Sequence, residues 1–279
     1  MPRVEVAEEA GVGLDGAARP SEDVVVVRPD AVIVLDGATT LRPELPSGGW
    51  YARRLAETIA ARLDRATPLT DVLAAAIEAL AAEAALVPGA APSSTVAMLR
   101  WTGETVDALV LGDSPVVAFG TGGTRVLADE RLGSVPRRSG GYRDRLRTGA
   151  GYGPEHVLAL RGSGAAMDGL RNRPGGFWVA EADPAAAHQA RTASWPLSTV
   201  DQVLLATDGV SCGVDDYLVF DGWPAVLDLV ATSGVGAVLA AVRAAEQTDP
   251  DGKRWPRPKP HDDQALVLVD FSAGPTRSG

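Results

Sequence analysis

The sequence predicts a layered α+β fold, and three observations point to it. Strand-like apolar runs follow one another closely, with connections too short for parallel crossovers, so they pair antiparallel. Among them lie two segments whose apolar residues recur every four positions, giving each one face suited to lie on a sheet. Across 279 residues no repeat and no linker separates two cores, and the length suffices for one substantial interior. Antiparallel runs with helices in pairs suit stacked layers rather than a doubly wound sheet.

In chain order, DVVVVRP (23–29) and AVIVLDG (31–37) read as strands at close to hairpin spacing, with Pro29 and Asp30 between them. A helix follows from Trp50 to Leu63, carried by Tyr51, Leu55, Ile59 and Leu63. A second runs from Thr70 to Val87, carried by Leu73, Ile77 and Leu80, with Thr70 or Asp71 as its N-cap. STVAMLRWT (94–102), TVDALVLGD (105–113) and PVVAFGT (115–121) read as a three-stranded meander. Residues 122–200 are rich in Gly, Arg and Pro and only weakly periodic. QVLLATDGV (202–210) is again a strand, an apolar helix covers about 223–245, and 249–263 is a loop. QALVLVDF (264–271) closes the chain as a strand before a frayed tail.

Composition narrows the function. Hydrophobic residues are 46% and charged residues 22%, as in globular proteins, and the formal net charge is -10. That field repels a phosphate backbone, which argues against nucleic acid as a partner, and it suits divalent cations. Cys212 is the sole cysteine, so no disulfide framework or thiolate metal site exists, and its apolar, Gly-flanked setting suits a small core residue. The N-terminus lacks a signal-peptide pattern, and the alanine-rich run at 72–91 is broken by Glu78 and Glu83. The expectation is a soluble, cytoplasmic protein with no membrane association.

Four strand-like segments each meet an aspartate at a turn: Asp36 in VIVLDG, Asp113 in LVLGDS, Asp208 in LLATDG, and Asp262 with Asp263 in HDDQALVLV. Glu22 and Asp23 open the first strand. Any one Asp-Gly pair is explained by turn chemistry. Five acidic sites in this order are harder to explain so, because converging carboxylates repel unless a cation lies between them. Hard ions such as Mg²⁺ or Mn²⁺ favour such oxygen ligands.

The ordered set RPSED (19–23), LDG (35–37), GDS (112–114), ATDG (206–209) and DDQALVLV (262–269) resembles the metal-dependent protein phosphatases of the PP2C type, in the manner of a divergent bacterial member. The likeness spans Arg19 to Phe271, and ATDGV and GDS are its most specific parts. It implies a four-layer α-β-β-α sandwich, two antiparallel sheets between helix pairs, as one domain with a variable flap at about 131–198. It also implies two Mn²⁺ or Mg²⁺ ions and a third, weaker one. Asp36 would bridge the two ions with help from the Gly37 carbonyl. Asp208 and Asp262 would complete one shell, Glu22 would serve the other, and Asp113 would help hold the third. Arg19 would clamp the substrate phosphate. The implied reaction is hydrolysis of phosphoserine or phosphothreonine by a metal-bridging water, with a phosphoprotein as substrate and a Ser/Thr kinase or its target as a partner. A regulatory or binding module that keeps the fold with little or no activity is the alternative, and a hydrolase of small phosphomonoesters is another.

This chain departs from the family pattern in three places. Ala38, Thr39 and Thr40 stand where many relatives carry a histidine, Ala265 replaces a usual Ser or Thr, and RPSED alters the spacing of the arginine. Phe177 and Trp178 in GGFWVAEADP are read as an anchor under a long loop, and RRSGGYRDRLR (137–147) as a solvated helix face. His156 and His188 lack a second metal-type residue at ligand spacing, and His261 reads as a surface loop residue.

Overall fold

The computed structural model describes residues 1–136 and 139–272. Arg137 and Arg138 of the arginine-rich run, and residues 273–279 of the tail, lie outside the described residues. The strands are β1 (Arg3–Glu9), β2 (Asp23–Arg28), β3 (Ala31–Asp36), β4 (Val96–Trp101), β5 (Thr105–Leu111), β6 (Val116–Gly120), β7 (Gly123–Leu127), β8 (Arg191–Pro196), β9 (Gln202–Ala206) and β10 (Gln264–Asp270). The helices are α1 (Gly48–Arg62), α2 (Leu69–Glu83), α3 (Arg131–Ser134), α4 (Tyr142–Arg147), α5 (Pro154–Asp168), α6 (Asp208–Asp215), α7 (Trp223–Ser233) and α8 (Val235–Gln247). They build two five-stranded sheets, ordered β2-β3-β4-β5-β8 and β1-β10-β9-β6-β7. The strands pair antiparallel in both.

Alternation along the strands creates the layers. Successive side chains of a strand point to opposite faces. In β3, Ile33 and Leu35 pack on α1 and α2 through Tyr51, Leu55, Ile59, Leu73 and Ile77. Val32 and Val34 face the other way, into the space between the sheets, where they meet Val203, Leu205, Val267 and Val269. The outer face of the second sheet, with Leu204, Leu266 and Leu268, is covered by Val226, Val230, Val238 and Val242 of α7 and α8. Helix, sheet, sheet and helix therefore stack around three apolar seams, which is the predicted four-layer architecture.

Several elements differ from expectation. Strand β6 does not continue a meander: it leaves β5 through Gly112, whose φ is +87°, and pairs with β7 and β9 in the other sheet. The helix expected over 223–245 is broken at Gly234, whose φ of +82° is open to glycine and strained for other residues. The strand expected over 202–210 stops at Ala206 and becomes α6 at Asp208. Strands β1, β7 and β8 were not foreseen, because each is an edge or near-edge strand with exposed polar positions that blur its period. Strand β8 also makes 191–196 part of a sheet rather than of the irregular middle segment. In that segment Phe177 is buried with Val135 and Val179, while Trp178 packs against the α1–α2 layer. No single helix among the described residues is long and apolar enough to cross a membrane.

Candidate functional site

Antiparallel register sets Asp23 opposite Asp36, so two carboxylates from paired strands lie side by side. The backbone of Asp36 is pinned. Its N–H donates to Thr95 Oγ1 at 3.2 Å, and its carbonyl accepts from the Thr95 N–H at 2.9 Å and the Ser94 hydroxyl at 2.8 Å. Gly37 follows with the α1 backbone against it; a Cβ there would come within 2.4 Å of the Gly48 carbonyl carbon. Glycine is needed at that point for the approach of α1, whatever the cation contact.

The other acidic residues arrive from the second sheet. Asp208 opens α6, in the turn where the helix dipole favours negative charge. Thr207, just before it, donates its hydroxyl to Asp23 Oδ2 at 2.8 Å and accepts from the Ala265 N–H at 2.9 Å. Asp262 and Asp263 precede β10. Asp113 lies on the β5–β6 connection, where Ser114 bonds Thr95 at 2.6 Å.

These carboxyls sense one another. Burial, then Asp36, Asp262 and Asp113, push Asp208 well above the usual carboxylate range. Asp36 is raised well above that range by burial, then by Asp23, Asp262 and Asp113, while Lys259 pulls it down. Asp23 is raised well above it by burial and by Asp208, Asp262 and Asp263, against the pull of the Thr207 bond. Asp113 is raised to about 6 by burial, then by Asp129, Asp262 and Asp216. Asp36, Asp113, Asp208 and Asp262 thus converge. Among the described residues, no three His, Cys, Asp or Glu side chains already stand in ligating geometry.

Glu22 and Arg19 are placed differently. Glu22 is buried and faces Arg19 (2.9 Å), the Thr39 hydroxyl (2.9 Å) and the Gly49 N–H of α1 (3.4 Å). Arg19 donates to Glu22, to Asp263 at 2.6 Å, and to the carbonyls of Val12 and Pro20, so four of its N–H groups end on protein oxygens. Asp263 is buried and also accepts from the Gly11 N–H at 2.8 Å. The Lys259 ammonium, likewise buried, lies 2.6 Å from Asp262 and 3.7 Å from Asp263.

A cavity of about 260 Å³ opens beside Asp208 and Asp262, with Arg143, Arg147, Arg254 and Trp255 in its wall. A larger one, about 720 Å³, lies among Arg28, Trp101 and Phe271 and contains none of the clustered carboxylates. Cys212 borders the first cavity, but burial, then Asp208 and Glu246, hold its thiol well above the usual value, which makes it a poor nucleophile. His261 is half-buried and bonds Glu246 at 2.9 Å. His156 is buried against Tyr142 and Tyr152 and bonds the Pro258 carbonyl, so it braces the 249–263 loop rather than standing idle.

No protein-family model and no curated protein matches this sequence. Solved structures do match the fold. The catalytic domain of the serine/threonine protein phosphatase PstP, solved in complex with two manganese ions, superposes with a TM-score of 0.55 at 14% identity, covering 96% of this chain and 97% of its own. The Mycobacterium tuberculosis serine/threonine phosphatase PstP/Ppp gives 0.57 at 14% identity, with 96% and 98% covered. Serine/threonine phosphatase Stp1 from Staphylococcus aureus gives 0.54 at 13% identity, with 97% and 95% covered. The chain has the PP2C-type phosphatase fold. Within that PP2C-type frame, hard oxygen donors of like charge meet, with Lys259 offsetting Asp36, a donor set that fits a divalent cation. Sequence reasoning named Asp263 without giving it a partner and missed Lys259, Thr207 and Thr95. Thr207 and Thr95 carry no local pattern.

Proposed function

We propose that this chain belongs to the PP2C-type family and is a metal-dependent phosphoprotein phosphatase acting on phosphoserine or phosphothreonine. The convergence of Asp36, Asp208 and Asp262 from three separate strand ends carries this reading. Asp36, Asp208 and Asp262 would hold Mn²⁺ or Mg²⁺, with Asp113 at the margin and Glu22 and the Gly37 carbonyl at the other end. The bound cation would supply Lewis-acid activation of water and of the phosphoryl group. Thr207 and Asp23 fix the orientation of the strands that carry Asp208 and Asp36. Arg19, tied to Glu22 and Asp263, holds those carboxylates as a positioning residue.

The arginine-walled cavity supports an anionic substrate. Arg254 is exposed, lies over the Trp255 ring at 4.2 Å and has no carboxylate partner among the described residues. Arg254→Ala is expected to raise KM for a phosphothreonine peptide roughly 3–10-fold with kcat little changed, as steady-state kinetics would show.

The reading is tested with Mn²⁺, p-nitrophenyl phosphate and a phosphothreonine peptide, each with and without chelator. Chelator-sensitive turnover of the peptide supports it. Turnover of p-nitrophenyl phosphate alone points to a small-phosphomonoester hydrolase. A folded protein that turns over neither overturns it in favour of a binding module.

A further inference from the structure

The two ends of the acidic cluster are charged differently. At one end, Asp36, Asp208 and Asp113 are raised first by burial and then by neighbouring carboxylates. At the other, Glu22 and Asp263 already face cations: Arg19 at 2.9 and 2.6 Å, and Lys259 at 3.7 Å from Asp263. Lys259 is one of only two lysines in the chain and is 4% exposed. Its ammonium reaches Asp262 at 2.6 Å, Asp263 at 3.7 Å and the Thr39 hydroxyl at 3.3 Å. Oxygen partners are what a small hard cation would also seek.

Nor is the ammonium free to swing away. Its loop is tied down by Asp249, which accepts from the N–H groups of Lys253, Arg254 and Trp255 and from Arg257. Arg257 in turn donates to the Pro260 carbonyl, one residue beyond Lys259. Thr39 completes the arrangement, since its hydroxyl also donates to Glu22.

We propose that Lys259 is a built-in cation at the Glu22–Asp263 end of the cluster, so that the site takes one divalent ion, held by Asp36, Asp208 and Asp262, instead of two. A second divalent ion at the Glu22–Asp263 end would meet the fixed ammonium and the Arg19 guanidinium at short range, and like charges there repel strongly. The PstP catalytic domain, by contrast, was solved with two manganese ions. The inference rests on the metal-dependent reading above and refines its ion count.

Equilibrium dialysis of the full chain against Mn²⁺, with bound metal counted by elemental analysis, tests it without reference to activity. One ion per chain is expected for the unchanged protein, one for Lys259→Arg, and two for Lys259→Met and Lys259→Gln. Two variants without the charge are used so that a folding defect in one, checked by circular dichroism, leaves the other to read. Two ions in the unchanged protein, or one in both folded neutral variants, overturns the inference and leaves metal dependence intact. No bound ion in the unchanged protein overturns both.

Discussion

Replacing Asp208 with asparagine is expected to abolish phosphomonoester hydrolysis while making the cation-free protein harder to unfold. Asp208 is raised well above the carboxylate range first by burial and then by Asp36, Asp262 and Asp113, so its charge is unfavourable in the fold until a cation compensates it. Asparagine keeps the shape, can donate to Asp36 and removes one repelling charge. Without added metal the variant is expected to gain on the order of 1–3 kcal/mol of stability in denaturant titration. Turnover with Mn²⁺ is expected to fall by about 10²–10³-fold or more, since an electrostatic contact made at the reacting centre is lost. Most point substitutions destabilise, so opposite signs in the two measurements mark a site where stability is given up for function. A variant less stable than the parent in chelator, and equally active with Mn²⁺, would place Asp208 outside the cation site.

The second large effect is a reversed pH dependence of the cation-free protein. Asp23, Asp36 and Asp208 all titrate above the usual range in the folded chain, and Asp113 is raised to about 6. A carboxyl whose folded pKa lies above its unfolded value holds its proton more tightly when folded. Its contribution to stability is full below the unfolded value and is lost as pH rises through the folded one. For Asp113 that window runs from its ordinary value of 3.8 to about 6, and the loss across it is on the order of 2–3 kcal/mol. Unfolding with chelator present should therefore become easier from pH 4 through pH 6 and beyond, with the cluster opposing ordinary acid denaturation. Mn²⁺ at a hundredfold excess over Kd should restore about 5–10 °C in Tm at pH 8 and little at pH 4.5. A chelated protein whose stability rises steadily from pH 4 to 8, with no Mn²⁺ effect, would show the carboxyls are not held together in solution.

Much of the fold was legible because it depends on local periodicity. Tyr51, Leu55 and Ile59 recur at helical spacing, and all three are fully buried in the α1 seam. Asp36, Asp208 and Asp262 were legible for a related reason: each stands at a turn where a strand begins or ends, and the backbone chemistry of that turn is written in neighbouring residues. The break at Gly234 was less so, because apolar residues continue on both sides and only the positive φ stops the helix. Strand β6 was assigned to the wrong sheet for want of any signal in a short connection as to which sheet the chain enters next.

What the sequence determined alone is the set of acidic turns, the two amphipathic helices and the antiparallel habit of the strands, since these follow from neighbours along the chain. What only the tertiary structure decided is which charges meet. Thr207 bonds Asp23 across 184 positions, and Lys259 reaches Thr39 across 220. Asp23 is turned toward Asp36 while Glu22, its neighbour, is turned toward Arg19. The alternation of a paired strand sends adjacent side chains to opposite faces, and register, a property of two strands together, decides that Asp23 stands opposite Asp36.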